Sequence, residues 1–171
     1  MEISPTVEYV VALGDVYAAA GREQDAEEQY ELVDVIARLA EANGVDTDLE
    51  MALFKADHGR NLGDALAEAR AVYARRPGVH TADVLAWTLY QSGEYDEASR
   101  MVQEALQLGT KDALILFHAG MIAHANSDYA TALDLLQQAV DTNPHFSLLF
   151  AEMAQETLAQ GRALTEGGTN G

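Results

Sequence analysis

Apolar and polar residues follow one another along the chain with the period of an α-helix, and short breaks at Gly, Asn or Pro divide the pattern into nine segments. No stretch shows the strict alternation of apolar and polar residues that is typical of a half-buried strand. The pattern therefore predicts an all-α protein. The predicted helices cover about residues 7–20, 23–42, 47–58, 62–75, 81–92, 95–108, 112–125, 128–141 and 147–162.

The same pattern of small residues recurs along the chain. The stretches LGDVYAAAGREQDA, from Leu13, and LAWTLYQSGEYDEA, from Leu85, have the same length, the same internal Gly and the same final Ala. A small residue recurs at a constant spacing in three first helices, at Ala52, Ala86 and Gly120. An Ala near the start of each second helix recurs at a similar spacing, at Ala26, Ala65, Ala98 and Ala132. This period of about 34 residues is typical of stacked helical hairpins.

These residues resemble the signature of the tetratricopeptide repeat, which combines a Leu-Gly pair, a Tyr, an Ala, an aromatic residue and a closing Pro. The first unit supplies Leu13, Gly14, Tyr17, Ala26 and Tyr30, and the fourth supplies Gly120, Ala132, Ala139 and Pro144. The resemblance covers about residues 7–146. It implies a right-handed superhelical solenoid of about four helical hairpins, followed by a C-terminal capping helix. The expected organisation is a single domain over residues 1–165, with repeats at about 7–44, 45–78, 79–112 and 113–146, a capping helix at 147–162 and a disordered tail at 166–171.

One face of the fifth predicted helix and of the seventh carries the candidate site. Residues at spacings of 3, 4 and 3 share a helix face, and both segments have this spacing, first in His80, Asp83, Trp87 and Tyr90, then in Leu114, Phe117, Met121 and His124. The resemblance implies that such first-helix positions line a concave groove that holds a peptide. The predicted centre of this groove is Trp87, Tyr90, Phe117 and Met121, and its polar rim is His80, Asp83 and His124. The alternative is that Trp87, Phe117 and Met121 fill the core between repeats.

The charge of the chain restricts the partners that it can bind. Twenty-eight acidic residues against ten basic ones give a net charge of −18, which disfavours nucleic acid and favours an apolar or basic protein or peptide. The acidity is consistent with a high-salt source or with a biased composition. Some repeat proteins of this family grip a C-terminal carboxylate with Lys and Asn, and the matching positions here hold Val11, Asp15, Asp83 and Trp87. That clamp is therefore not expected.

The sequence predicts no enzyme, no cofactor and no metal site. It has no Gly-rich phosphate loop and no Ser-centred nucleophile elbow. His118 and His124, six residues apart on one predicted helix, point in directions about 240° apart and do not share a metal ion. The chain has no Cys, no apolar run of membrane-spanning length and no signal peptide, and these features favour a cytoplasmic location.

The first predicted helix leaves a second function open. It is apolar on nearly all sides, whereas the terminal repeat of a solenoid should have a polar outer face. The sequence predicts that this face is covered by a second copy or by upstream repeats of a longer chain, through Val7, Val10, Val11 and Tyr17. The two interpretations are therefore an interaction scaffold that binds a partner segment in its groove, and a structural or self-associating module that is a homodimer or part of a longer repeat protein.

Overall fold

The computed structural model describes residues 6–167, with side chains up to residue 163. Within this part of the chain there are nine helices and no strand, so the predicted all-α class is confirmed. The helices are α1 (Val7–Ala19), α2 (Glu23–Ala42), α3 (Asp48–Asp57), α4 (Leu62–Arg75), α5 (Val79–Gln91), α6 (Tyr95–Leu106), α7 (Ala113–Ala125), α8 (Tyr129–Thr142) and α9 (Ala151–Gly167).

The helix ends lie within about two residues of the predicted ones except at α9. The sequence predicts a start at residue 147, but Ser147 instead stands before the helix, and its side-chain oxygen accepts hydrogen bonds from the backbone N–H groups of Leu149 and Phe150. This side chain stabilises the turn that leads into α9. The helix then continues to Gly167, and the rest of the tail predicted to be disordered lies outside the described residues.

The helices pack as four successive antiparallel hairpins, in which α1 packs on α2, α3 on α4, α5 on α6 and α7 on α8, while α9 packs on α8. Small residues allow the close approach within the hairpins. A Cβ atom built on Gly120 would lie 2.7 Å from Leu136 Cγ, and one on Gly14 would overlap the ring of Tyr30. Relative to the repeat alanine, Gly14 and Gly120 occupy the same position, and so do Tyr30 and Leu136. The same contact therefore recurs in the first and fourth hairpins.

The helices α5 and α7 have the largest number of buried residues. Every residue from Ala82 to Leu89 is buried in α5, and α7 is buried almost as completely. Both helices contact their own hairpin partners. In addition, α5 contacts the second hairpin through α3 and α4 and the fourth through α7, and α7 contacts the third hairpin through α5 and α6. The equivalent junction between α2 and α3 is not closed in this way, and the first hairpin joins the second mainly through contacts of Val7, Val10, Tyr30 and Val33 with Met51 and Phe54.

Candidate functional site

Each pair of neighbouring first helices is joined by one hydrogen bond between side chains. His58, the residue directly after α3, bonds to Asp15 of α1 at 2.8 Å. Asp57 of α3 accepts from Trp87 Nε1 of α5 at 2.8 Å, and His118 of α7 bonds to Asp83 of α5 at 3.0 Å. We call these the interhelix polar contacts. They lie inside the stack and fix the register of one hairpin on the next.

The protonation of His58 follows from its two partners. Its Nε2 atom lies 2.8 Å from an Asp15 carboxylate oxygen, and its Nδ1 atom lies 2.8 Å from the Phe54 carbonyl oxygen. Both partners are acceptors, so the ring donates to both at once only in its protonated form, and this arrangement favours that form. Burial acts to lower the pKa of His58, but the hydrogen bonds to Asp15 and Phe54 outweigh burial and raise it. Tyr30 Oη also donates to Asp15, at 2.9 Å, which completes a charged contact between the first two hairpins.

The surroundings of Asp57 disfavour the charged form of its carboxyl group. Burial raises the pKa of its carboxyl group to about 6, against the opposing effects of nearby His118 and of the hydrogen bond from Trp87. No arginine or lysine forms an ion pair with this carboxylate among the described residues. The carboxyl group therefore changes charge in mildly acidic solution.

The rings around His118 form a stacked group in the core. His118 is fully buried and lies 4.2 Å from the Trp87 ring, with 14° between the planes. Its Nδ1 atom contacts both oxygens of Asp83, at 3.0 and 3.1 Å, and its Nε2 atom has no hydrogen-bond partner among the described residues. Phe150, just before α9, packs edge-on against Trp87 at 5.4 Å and stacks on Phe117 at 5.2 Å.

This packing decides where the predicted groove residues lie. Trp87 is only 1% exposed, and Phe117 and Asp83 are buried with it. Phe150 of the C-terminal segment covers both rings, and Asp83 is held by His118 instead of standing at a rim. Those three residues therefore occupy core positions. For Trp87 and Phe117, this is the alternative that the sequence left open. The remaining predicted residues do reach the surface, with Tyr90 and Met121 half-buried and His80 and His124 exposed.

The structure adds two surface tyrosines that the sequence analysis missed. Tyr95 packs against Tyr90 with 5.6 Å between ring centroids, and Tyr129 packs against His124 at 5.3 Å. Tyr95 and Tyr129 lie one repeat length apart, as do Tyr90 and His124, so the two pairs are equivalent in successive repeats. We call them the aromatic pairs. The repeat period, applied to every aromatic residue outside the predicted groove, would have found them.

A comparison with protein families identifies the repeat. Residues 84–145 match the family model described as "Tetratricopeptide repeat". This part of the chain is a tetratricopeptide repeat segment. It runs from the middle of α5 to the end of the fourth hairpin, which includes both aromatic pairs, and the resemblance inferred from the sequence is confirmed.

A solved structure with a similar fold agrees with this result. A mutant form of MamA is similar to this chain with a TM-score of 0.53 and 19% sequence identity, over 94% of this chain and 88% of that one. A second MamA structure, MamA AMB-1, has a TM-score of 0.47 and the same identity, 19%, over 94% of this chain and 92% of that one. At this identity the first likeness shows the fold alone. No curated protein matches the chain by sequence.

Two other classes of site have no support in the described residues. No group of three or more His, Asp or Glu side chains there is arranged to hold a metal ion. None of the helices in the same part of the chain is both long and apolar enough to cross a membrane. The aromatic pairs and the half-buried residues beside them remain the candidate site.

Proposed function

We propose that this repeat protein is a non-enzymatic interaction scaffold that binds a segment of a partner protein along the first helices of its third and fourth repeats and at the starts of the second helices. The observation that carries the proposal is the recurrence of the aromatic pairs. Tyr129 is 56% exposed, Tyr95 and His124 are exposed, and Tyr90 is half-buried. Accessible aromatic rings with a polar atom are the residue types that most often anchor an interface.

The buried rings beneath this surface give it rigidity. Tyr90 stacks on Trp87 at 4.9 Å with 9° between the planes, and Trp87 is fixed by Asp57 and His118. A surface residue whose neighbours are already immobile loses less conformational entropy when a partner binds. In this proposal Trp87 and Phe117 support the binding surface from below, while Tyr90, Met121, His80 and His124 contact the partner.

Selection from a random peptide library tests the proposal without a known partner. Peptides that bind the parent protein should bind the Tyr95→Ala/Tyr129→Ala double variant at least tenfold more weakly, because each aromatic anchor contributes about 1–2 kcal/mol or more. Tyr9→Ala is the matched control, since it removes a tyrosine that is 71% exposed on α1, outside the aromatic pairs. Equal binding to the parent and the double variant would exclude the aromatic pairs as the site.

Self-association through α1 is a second candidate function, and a specific observation favours it. Tyr9, Leu13 and Val16 are exposed, and their spacings of four and three residues place them in one apolar stripe. Of the contact residues predicted from the sequence, Val7 and Val10 are instead buried against the second hairpin, and Val11 and Tyr17 are partly buried. Val7 and Val10 lie on the side of α1 that faces α3, and the stripe of Tyr9, Leu13 and Val16 lies on the exposed side.

Sedimentation equilibrium tests this second candidate. A dimer that dissociates in the Leu13→Asp/Val16→Asp variant would support self-association through α1. Leu148→Asp, at an exposed apolar residue in the turn before α9, is the control. A parent protein that stays monomeric at high concentration would exclude the homodimer.

A further inference from the structure

The outer face of α2 departs from the repeat pattern. Positions six, nine and thirteen residues after the repeat alanine Ala26 hold Leu32, Val35 and Leu39. In the other three repeats, the same positions hold small, polar or charged residues, namely Ala71, Ala74, Gly78, Glu104, Gln107, Lys111, Gln138, Asp141 and His145. All three α2 side chains are exposed, Leu39 at 60%. Large apolar residues therefore lie on an outer face that the other repeats keep small or polar.

These side chains line a groove of about 750 Å³. Its apolar floor consists of Leu32, Val35, Ile36 and Leu39 from α2 and Val45 from the following loop, and its ends are formed by the first residues of α1 and of α3. The groove exists because α2 does not close on α3 as α4 closes on α5. Apolar residues at positions i, i+3 and i+7 of one helix are the arrangement that accepts a second helix packed alongside it.

The charges around the groove have one sign. Glu8, Asp46 and Glu50 line it, and no Lys or Arg does so within the described chain. Asp46 pairs with Arg76 at 3.0 Å, but Glu8 and Glu50 form no ion pair with any residue between 6 and 163. A second copy would bring the same carboxylates against them in a protein of net charge −18, which is unfavourable. A partner that complements the groove therefore has an apolar stripe flanked by positively charged residues.

We propose that this groove on α2 binds an amphipathic helix of a partner protein whose apolar stripe is flanked by Lys and Arg. The apolar side chains of the partner fill the groove over Val35 and Leu39, and its basic residues pair with Glu8 and Glu50. This surface is separate from the aromatic pairs of the third and fourth repeats. A failure of binding at the aromatic pairs therefore leaves the proposal intact, and the two sites are tested with different variants.

A labelled synthetic helix of about 18 residues, which makes roughly five turns, is the probe. It carries Leu at i, i+3 and i+7 spacing and Lys elsewhere, and fluorescence anisotropy measures its binding to the full chain. Two control peptides separate the contribution of the apolar stripe from that of the positive charge. A scrambled isomer keeps the charge but has no stripe, and a version with Glu in place of Lys keeps the stripe but has no positive charge. We expect each control peptide to bind at least tenfold more weakly, and binding of the probe to weaken as salt is added.

Variants of the protein locate the contact. Val35→Asp/Leu39→Asp should weaken binding of the probe at least tenfold, whereas Leu108→Asp/Leu148→Asp, at exposed apolar residues elsewhere, should leave it unchanged. Glu8→Gln/Glu50→Gln should weaken binding several-fold and flatten its salt dependence. The matched control is Glu152→Gln/Glu156→Gln, which removes two exposed acids of α9. Circular dichroism confirms that each variant is folded.

Three results would overturn the proposal. The first is absence of binding of the probe. The second is an equal effect of the groove variants and their matched controls, which would show attraction of a polycation to an acidic protein without a site. The third is a dimer of the chain alone that the Val35→Asp/Leu39→Asp variant dissociates, because a second copy would then occupy the groove.

Discussion

The first hairpin and the third and fourth hairpins share small residues at equivalent positions but are buried very differently. In the first helix of the first hairpin, α1, only Val7, Val10 and Gly14 are buried among thirteen residues, whereas the equivalent helix α5 buries eight consecutive residues. The third hairpin has a hairpin on each side and the fourth lies between the third and α9, while the first hairpin has a neighbour on one side and an open junction with α3. The second helices α2, α4, α6 and α8 each bury three residues, so the difference lies in the first helices, whose burial follows their position in the stack.

The two regions also differ in how they are joined to their neighbours. The first hairpin is held to the second by a charged contact among Tyr30, Asp15 and His58. The third and fourth are joined by the stacked rings of Trp87 and His118 and by Phe117, which stacks on Phe150. We therefore expect the third and fourth hairpins to supply most of the free energy of unfolding and the first to open more readily.

Removal of the central ring tests this difference most strongly. Trp87→Ala should lower the free energy of unfolding by about 3–5 kcal/mol, because it leaves a cavity between Tyr90, His118 and Phe150. Urea denaturation measures the change. Tyr95→Ala is the control, and it should cost little because its side chain is exposed. A Trp87→Ala protein as stable as the parent would place this ring outside the core.

Equivalent glycines compare the two regions directly. Gly120→Leu should destabilise the protein by about 1–3 kcal/mol through overpacking, because a Cβ there already meets Leu136 and approaches the Ala132 carbonyl oxygen at 3.3 Å. Gly14→Leu should cost less, since the three atoms nearest to a Cβ there all belong to the side chain of Tyr30, whereas Gly120 also faces a backbone oxygen and the fully buried Leu136. Thermal melts of both variants rank the two effects. A larger loss for Gly14→Leu would reverse the comparison.

Acid titration examines the junction between the second and third hairpins. The pKa of Asp57 is about 6 in the folded protein and about 3.9 in an unfolded chain, so the folded state favours the protonated form. This contribution to stability is fully present below about pH 4 and is lost as the pH rises through 6. The free energy of unfolding of Asp57→Asn, taken relative to that of the parent at the same pH, should therefore rise by about 1.4 kcal/mol between pH 5 and pH 8.

Urea denaturation of both proteins at the two pH values measures that growth. The comparison within each pH removes the general effect of the acidic surface. Asp96→Asn, at an exposed aspartate of α6, is the control and should differ from the parent by a nearly constant amount. A constant difference for Asp57→Asn as well would mean that this carboxyl group has an ordinary pKa.

The smallest expected effect is at the outer face of α2. Leu39→Gln should change the free energy of unfolding by no more than about 0.5 kcal/mol, because an exposed side chain gains little from burial when the chain folds. The equivalent replacement of a buried leucine, Leu136→Gln, should be severely destabilising. A loss of more than about 1 kcal/mol at Leu39 would show that α2 is covered within the single chain.

The sequence determined the nine helices found between residues 6 and 167, their order and most of their ends, because helical periodicity and the residues that stop a helix are local properties. It also determined the repeat and its close contacts, since Gly14 and Gly120 stand at the register where only a small residue fits. It identified an outer surface at Tyr90, Met121, His80 and His124, although their role in binding stays a prediction.

Only the tertiary structure decided which side of each amphipathic face meets another helix. Helical spacing places Trp87 and Tyr90 on one face but does not reveal that Phe150, far later in the chain, covers the first and leaves the second accessible. The same holds for α1, where Val10 turns inward and Leu13 outward, and for α2, whose apolar stripe stays open because α3 does not close on it. Burial depends on contacts between distant segments, and a period within one helix carries no information about them.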